Sequence, residues 1–271
     1  FLKKGKVTMS NSFLFSRRTF LKQGSLAVGL PAVALAAEST TATPILNQQE
    51  GMAYRKVPRT DISVSVLSQG GLVMGEGVRR YAIDKGVNFF HVANNYLNGE
   101  SIKELGKVMK DHRDKVYLAV KDTFDYGDGK DDIGSILKLL NTDHIDFIMF
   151  NRHDPEDVLD DRIQTYFEKW KKEGKVRWAG LTIHNKIKET TAAGIKTQFY
   201  NLVMPVLDQP NLEAMAEGLR EAEKLEVGFM AMKTMKGMKD REMEVAFLKK
   251  VLANPAVTTV NKGIGSYDMF D

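Results

Sequence analysis

Eight short apolar runs, each followed by a longer amphipathic segment and recurring roughly every 30 residues, constrain this chain more than any other feature, because that alternation builds parallel sheets. The runs are Val64 to Ser68, Val87 to His91, Val116 to Lys121, Asp146 to Phe150, Val176 to Thr182, Gln198 to Met204, Val227 to Lys233 and Val257 to Gly263. A parallel barrel has this order of elements, so the expected class is α/β, a (β/α)8 TIM barrel. Ligands of such barrels sit at the carboxyl ends of the strands. The chain stops at Asp271, inside what should be the eighth helix, so that helix is expected to be truncated and the natural protein to be longer.

The stretch from Ile83 to Lys121 organises the expected site. Gly86 ends a helix and feeds the strand that reaches His91, and a polar loop then carries Tyr96. A second helix starts near Asn98 and returns the chain to a strand whose last residue is Lys121. Two successive parallel strands thus bring His91, Tyr96 and Lys121 to one rim. Reduction of a carbonyl by hydride needs a proton donor for the developing alkoxide, a group that makes the donor acidic, and a polariser of the carbonyl. A tyrosine with a pKa near ~10 becomes a useful acid once a nearby ammonium favours its phenolate.

Asn98-Gly99-Glu100-Ser101 and Glu104-Leu105-Gly106, with Tyr96 before them and Lys121 after, resemble the core motif of the aldo-keto reductases. In that family a strand ends in Asp-Thr-Ala, a Tyr follows, Gly-Asn-Gly-Glu-Ser opens the next helix and Thr-Lys closes the next strand. The match runs from Tyr54 to the end, and Tyr54 to Thr60 resembles the hairpin that plugs the barrel floor. The resemblance implies that Tyr96 is the proton donor, Lys121 the ammonium that tunes it, and His153 the hydrogen-bond donor to the carbonyl. This sequence departs from the pattern at the aspartate that pairs with the lysine, whose place is taken by His91, and at the following Thr, which is Val92. A neutral His91 could accept a hydrogen bond from Lys121, whereas a protonated one would repel it. Slower turnover or an inactive descendant is the expected consequence.

The same resemblance implies NADP or NAD as cofactor and a small carbonyl or alcohol as substrate. Gly71, at the end of the first strand, allows close backbone approach. Thr182 falls where the family presents a Ser to the nicotinamide amide, Met204 where a Gln is common, and Leu207 near the stacking aromatic. Lys233 and Thr234, then Gly263, Gly265 and Ser266, lie at the ends of the seventh and eighth strands, where such barrels hold phosphates on backbone N–H groups. Lys262 is one residue off the usual pattern for a 2'-phosphate.

The amino-terminal 37 residues read as an export signal, with a possible upstream extension before Met9. Ser16-Arg17-Arg18-Thr19-Phe20-Leu21-Lys22 fits the twin-arginine consensus, and Leu26 to Ala36 supplies the apolar segment. That segment is well short of the ~20 residues of a bilayer span and contains Gly29 and Pro31, so no stable membrane anchor is expected. Ala34-Leu35-Ala36 offers the cleavage site. The expected partner is the twin-arginine export machinery and the expected location periplasmic or otherwise exported. Residues 38–52 read as a solvated linker, and 53–271 as the barrel domain.

The formal net charge of +4 owes six Lys or Arg to the signal, which leaves 33 basic and 35 acidic residues after it. A nearly neutral mature chain does not point to nucleic acid. The absence of cysteine excludes disulfides, thiolate catalysis and iron–sulfur clusters. Two further readings compete with the reductase. A barrel that has lost catalysis would act as a binding protein. Alternatively His91, His153 and His184, with Asp122 and Asp154 close by, could ligate a divalent metal for hydrolysis, although no His-x-His or His-Glu-x-x-His pair is present and no metal site is assigned.

Overall fold

A computed structural model describes residues 44–73, 75–122 and 133–270. The chain divides between Thr41 and Ala42 into two compact units, and the described residues belong to the second. The expected export signal, the start of the linker and most of the loop after Lys121 lie outside the described residues.

A hairpin of β1 (Tyr54–Lys56) and β2 (Ser63–Ser65) precedes eight barrel strands. These are β3 (Leu67–Gly70), β4 (Phe89–Ala93), β5 (Tyr117–Lys121), β6 (Ile145–Arg152), β7 (Val176–Ile183), β8 (Leu202–Pro205), β9 (Gly228–Met232) and β10 (Val257–Lys262). Every neighbouring pair is parallel, and β10 closes onto β3. The connections carry α1 (Glu76–Asp84), α2 (Glu100–His112), α3 (Ile133–Leu140), α4 (Asp161–Lys172), α5 (Ile187–Lys196), α6 (Gln209–Ala214), α7 (Ala216–Lys224) and α8 (Arg241–Leu252). The expected (β/α)8 barrel is the observed fold.

Each strand is buried on both faces, which is why the runs read as nearly continuous apolar stretches. Phe90 and Val92 of β4, Leu118 and Val120 of β5, and Ile148 and Phe150 of β6 join the layer beneath the helices. Their alternating neighbours Phe89, Tyr117, Ala119, Phe147 and Met149 fill the barrel interior with Leu202, Met204, Met230 and Met232. The hairpin closes the floor of that interior through Val57, Ile62 and Val64. Arg59 fixes it there by donating to the carbonyls of Glu226 (3.0 Å), Gln198 (2.6 Å) and Tyr200.

Several boundaries differ from the expected ones, each for a local reason. The run from Val64 to Ser68 is divided: Ser63–Ser65 pairs with β1, and the barrel strand begins at Leu67. Val66 marks the change, its N–H donating to Ala53 and its carbonyl accepting from Val260. Pro205 ends β8 rather than interrupting it, because a terminal strand position loses little by lacking an N–H. The helix expected from Pro155 to Glu173 begins instead at Asp161, with the Asp160 side chain accepting from the Ile163 N–H at 2.9 Å. The segment read as a solvated linker is partly docked: the Asn47 side chain donates to Ile83 (2.6 Å), and the Leu46 carbonyl accepts from Asn88 (2.8 Å). After β10, the single turn Tyr267–Met269 brings Tyr267 and Phe270 onto the ring of Tyr81 in α1, at 5.2 and 5.7 Å.

Candidate active site

At the carboxyl ends of the strands lies a cavity of about 730 Å³. Its wall includes Gly70 to Val73 after β3, His91 of β4, Tyr96, Lys121 of β5, His184 after β7, Met204, Met232 to Lys236 and Asn261 to Gly263. Four lysines and two histidines are among these residues, and the described lining contains no Asp or Glu.

Tyr96 and Lys121 share this rim, as expected, but their contact is not the expected one. The Lys121 ammonium stands 5.0 Å from the centre of the Tyr96 ring, over its face. Burial raises the pKa of the phenol, where acidification by Lys121 was expected. Burial also lowers the pKa of Lys121, with Lys233 adding to the effect and Asp122 opposing it. Tyr96 is held by a turn that costs conformational energy: Leu97 and Asn98 have φ of 52° and 56°, followed by Gly99 at 85°.

His91 is 2% exposed, and its Nε2 has no hydrogen-bond partner. Its ring lies 6.1 Å from that of Tyr96. Burial, then Lys121 and His184, push its pKa down to about 3, so it is neutral at physiological pH. The hydrogen bond that Lys121 could have donated to Nε2 is not formed. His184 is pushed down to about 4 by burial, Lys233, Lys121 and His153.

His153, expected at the substrate, is exposed and is not among the lining residues. Its ring nitrogens face the side-chain amides of Asn151 (3.4 Å) and Asn185 (3.5 Å). His184 takes the place at the cavity wall. The signal for it was present, since it follows Thr182 by two residues at a strand end. Among the described residues, no three His, Asp or Glu side chains assemble a metal site, so the three-histidine reading finds no ligand set.

The expected cofactor contacts divide in the same way. Gly71, Met204, Lys233, Thr234 and Gly263 line the cavity, whereas Thr182, Gly265 and Ser266 do not. Thr182 is fully buried, and its hydroxyl lacks a partner. A Cβ on Gly71 would come within 2.6 Å of the His91 carbonyl oxygen and 2.8 Å of Val92 Cα, so the glycine is needed for close approach of β3 to β4. The motif at the start of α2 holds this loop. The Ser101 hydroxyl donates to the Gly71 carbonyl, Glu104 accepts from the Gly75 N–H at 2.6 Å, and buried Arg79 donates to Glu104, to the Ser101 hydroxyl and to the Val73 carbonyl.

The family model described as Aldo/keto reductase family matches residues 77–245. The chain belongs to this family. Among curated relatives, the uncharacterized oxidoreductase YqkF of Bacillus subtilis is 24% identical over 198 residues, covering 62% of this chain and 64% of that protein. The chain spans 54% to 64% of the length of the curated relatives it matches. Of solved structures, the holo form of aldo-keto reductase AKR11C1 from Bacillus halodurans superposes with a TM-score of 0.67 at 21% identity, over 80% of this chain and 88% of that one. Its apo form gives a TM-score of 0.61 at 20% identity. At these identities the structural likeness supports the fold.

Proposed function

We propose that this aldo/keto reductase family member is an NAD(P)H-dependent oxidoreductase that interconverts a carbonyl and an alcohol. The observation that carries the proposal is the meeting of Tyr96 and Lys121 at the cavity wall, the Lys121 ammonium 5.0 Å from the centre of the Tyr96 ring. A protonated phenol can give its proton to an alkoxide, and the ammonium stabilises the phenolate left behind. His184, neutral at the wall, can orient the carbonyl.

The residues present suit a dinucleotide. The cavity volume is within the ~300–1,000 Å³ range of small-molecule sites. Lys233, Thr234, Lys236, Lys262 and Gly263 line the end where phosphates would bind. A bound nicotinamide would supply the hydride. We further propose export by the twin-arginine route, with the dinucleotide carried along tightly bound.

One observation favours a second reading, a barrel that binds the nucleotide without turnover. Lys121 has no ion-pair partner among the described residues, and the motif resemblance puts His91 where the family has an aspartate. Titration of NADPH fluorescence together with turnover of an aldehyde panel distinguishes the two. Tyr96→Phe should cut kcat by about 10²–10⁴-fold while leaving NADPH affinity within about twofold. Wild-type turnover unaffected by Tyr96→Phe would refute the proton-donor role, and nucleotide binding without any turnover would favour the second reading.

A further inference from the structure

We propose that the substrate carries a carboxylate next to its carbonyl, as in a 2-oxo acid or the corresponding 2-hydroxy acid, and that this carboxylate is the negative partner of Lys121. The inference rests on the reductase reading and names the substrate class for the same site.

Lys121 is half-buried at the cavity wall, and no described carboxylate forms an ion pair with it. A partly desolvated ammonium is costly unless an anion reaches it. The adjacent carboxylate, Asp122, does not line the cavity: one oxygen accepts the Asn151 N–H at 2.7 Å, and the other lies 3.9 Å from Arg152. On the opposite side His91 is neutral and brings no charge. Of the other lining lysines, Lys262 is paired with Glu244 at 2.8 Å, while Lys233 and Lys236 stand exposed at the end suited to a dinucleotide's phosphates. Among the described residues, then, the inner part of the cavity has a positive charge that no lining carboxylate meets, with Asp122 acting on it from outside the wall.

Position selects a carboxylate attached to the reacting carbon. The ammonium stands 5.0 Å from the centre of the ring whose hydroxyl would protonate the alkoxide, and both residues line one cavity, so an anion that meets Lys121 shares that cavity with the reacting carbonyl. The wall around it includes the thioethers of Met204 and Met232, which suit the rest of a small organic acid. In the reaction, C2 of the 2-oxo acid gains a hydride, its oxygen gains the Tyr96 proton, and the C=O double bond becomes a single bond. NAD(P)H is oxidised to NAD(P)+, solvent restores the proton, and the carboxylate is unchanged.

The test compares phenylglyoxylate with its neutral methyl ester, using NADPH and the full chain, in the wild type, His91→Asp and His91→Asn. The wild type should favour the acid by about tenfold or more in kcat/KM, the effect of one charge–charge contact in a partly solvated cleft. His91→Asn should keep that preference. His91→Asp, which sets a carboxylate beside Lys121, should lower the acid-to-ester ratio of kcat/KM about tenfold, whatever it does to the turnover of both compounds. Equal or better turnover of the ester by the wild type would overturn the inference whether or not the variants fold, as would identical behaviour of the two variants. If the wild type reduces aldehydes but neither of these compounds, the inference falls; if it reduces no carbonyl at all, the reductase reading fails and calorimetric titration with oxamate judges the anion site alone. Binding kept in His91→Asn and lost in His91→Asp supports the site, and no binding to the wild type removes it.

Discussion

The neutral state of His91 can be tested through its effect on folding. Its pKa in the folded chain is lowered from 6.5 to about 3, first by burial and then by Lys121 and His184. The unfolded chain takes up a proton at this residue well before the folded chain does. The stabilising contribution is therefore complete above pH ~6.5 and is lost progressively as pH falls through the window towards about 3. Within the window each pH unit costs about 1.4 kcal/mol. By about pH 4.5 the wild type should have lost roughly 2–3 kcal/mol through this one group.

Replacing His91 by Asn removes the titration while keeping a polar side chain of similar length. Urea unfolding of both proteins should give stabilities whose difference changes steadily in favour of His91→Asn as pH falls from about 7.5 to about 4.5, with similar m-values. The other histidines are common to both chains, so the difference isolates this position. Parallel pH profiles would refute the reasoning: either His91 is protonated in the folded protein, or the interior around it admits water when acidified. Neutrality of His91 also bears on Lys121, because it leaves the ammonium without a charge of opposite sign inside the described wall.

Two structural predictions concern how the site is held. Gly71→Ala drives a methyl against the His91 carbonyl and Val92 Cα, so β3 and β4 must separate; a loss of about 1–3 kcal/mol by urea unfolding, with weakened NADPH affinity, is expected. At the opposite end of the barrel, Asp146 is 1% exposed and accepts from Arg113 and Arg177, each at 3.0 Å, and from the Leu118 N–H at 2.8 Å. Asp146→Ala leaves Arg113 with the Val116 and His144 carbonyls and Arg177 with Asp61, but orphans the Leu118 N–H, and should cost about 1–3 kcal/mol, seen as a lowered urea midpoint. Nucleotide affinity of the fraction that remains folded should stay within about twofold, because this cluster is not part of the cavity wall.

The strand period exposed the barrel because burial on both faces leaves an apolar run for every strand, and no tertiary knowledge is needed to see it. The same period could not separate β2 from β3, since that division depends on Val66 bonding to Ala53 on one side and to Val260 on the other. The shared rim of Tyr96 and Lys121 follows from strand order alone. The orientation of Lys121 over the ring face depends on the left-handed turn at Leu97 and Asn98, for which only Asn98 and Gly99 gave a hint. His153 and His184 were equally eligible by position, each just past a strand end. Packing separated them: the amides of Asn151 and Asn185 flank the first outside the cavity, and the cavity takes the second. A strand-end residue is thus predictable as rim, but whether it faces the cavity depends on loop contacts made far along the chain. His91 lies within a strand whose pleat is fixed, with Phe89 inward two residues before it, and so its entry into the interior was determined by the pattern itself. A histidine fixed there by the pleat is the feature of this site least open to relief by loop movement, and it is why β4 offers Lys121 no charge of opposite sign.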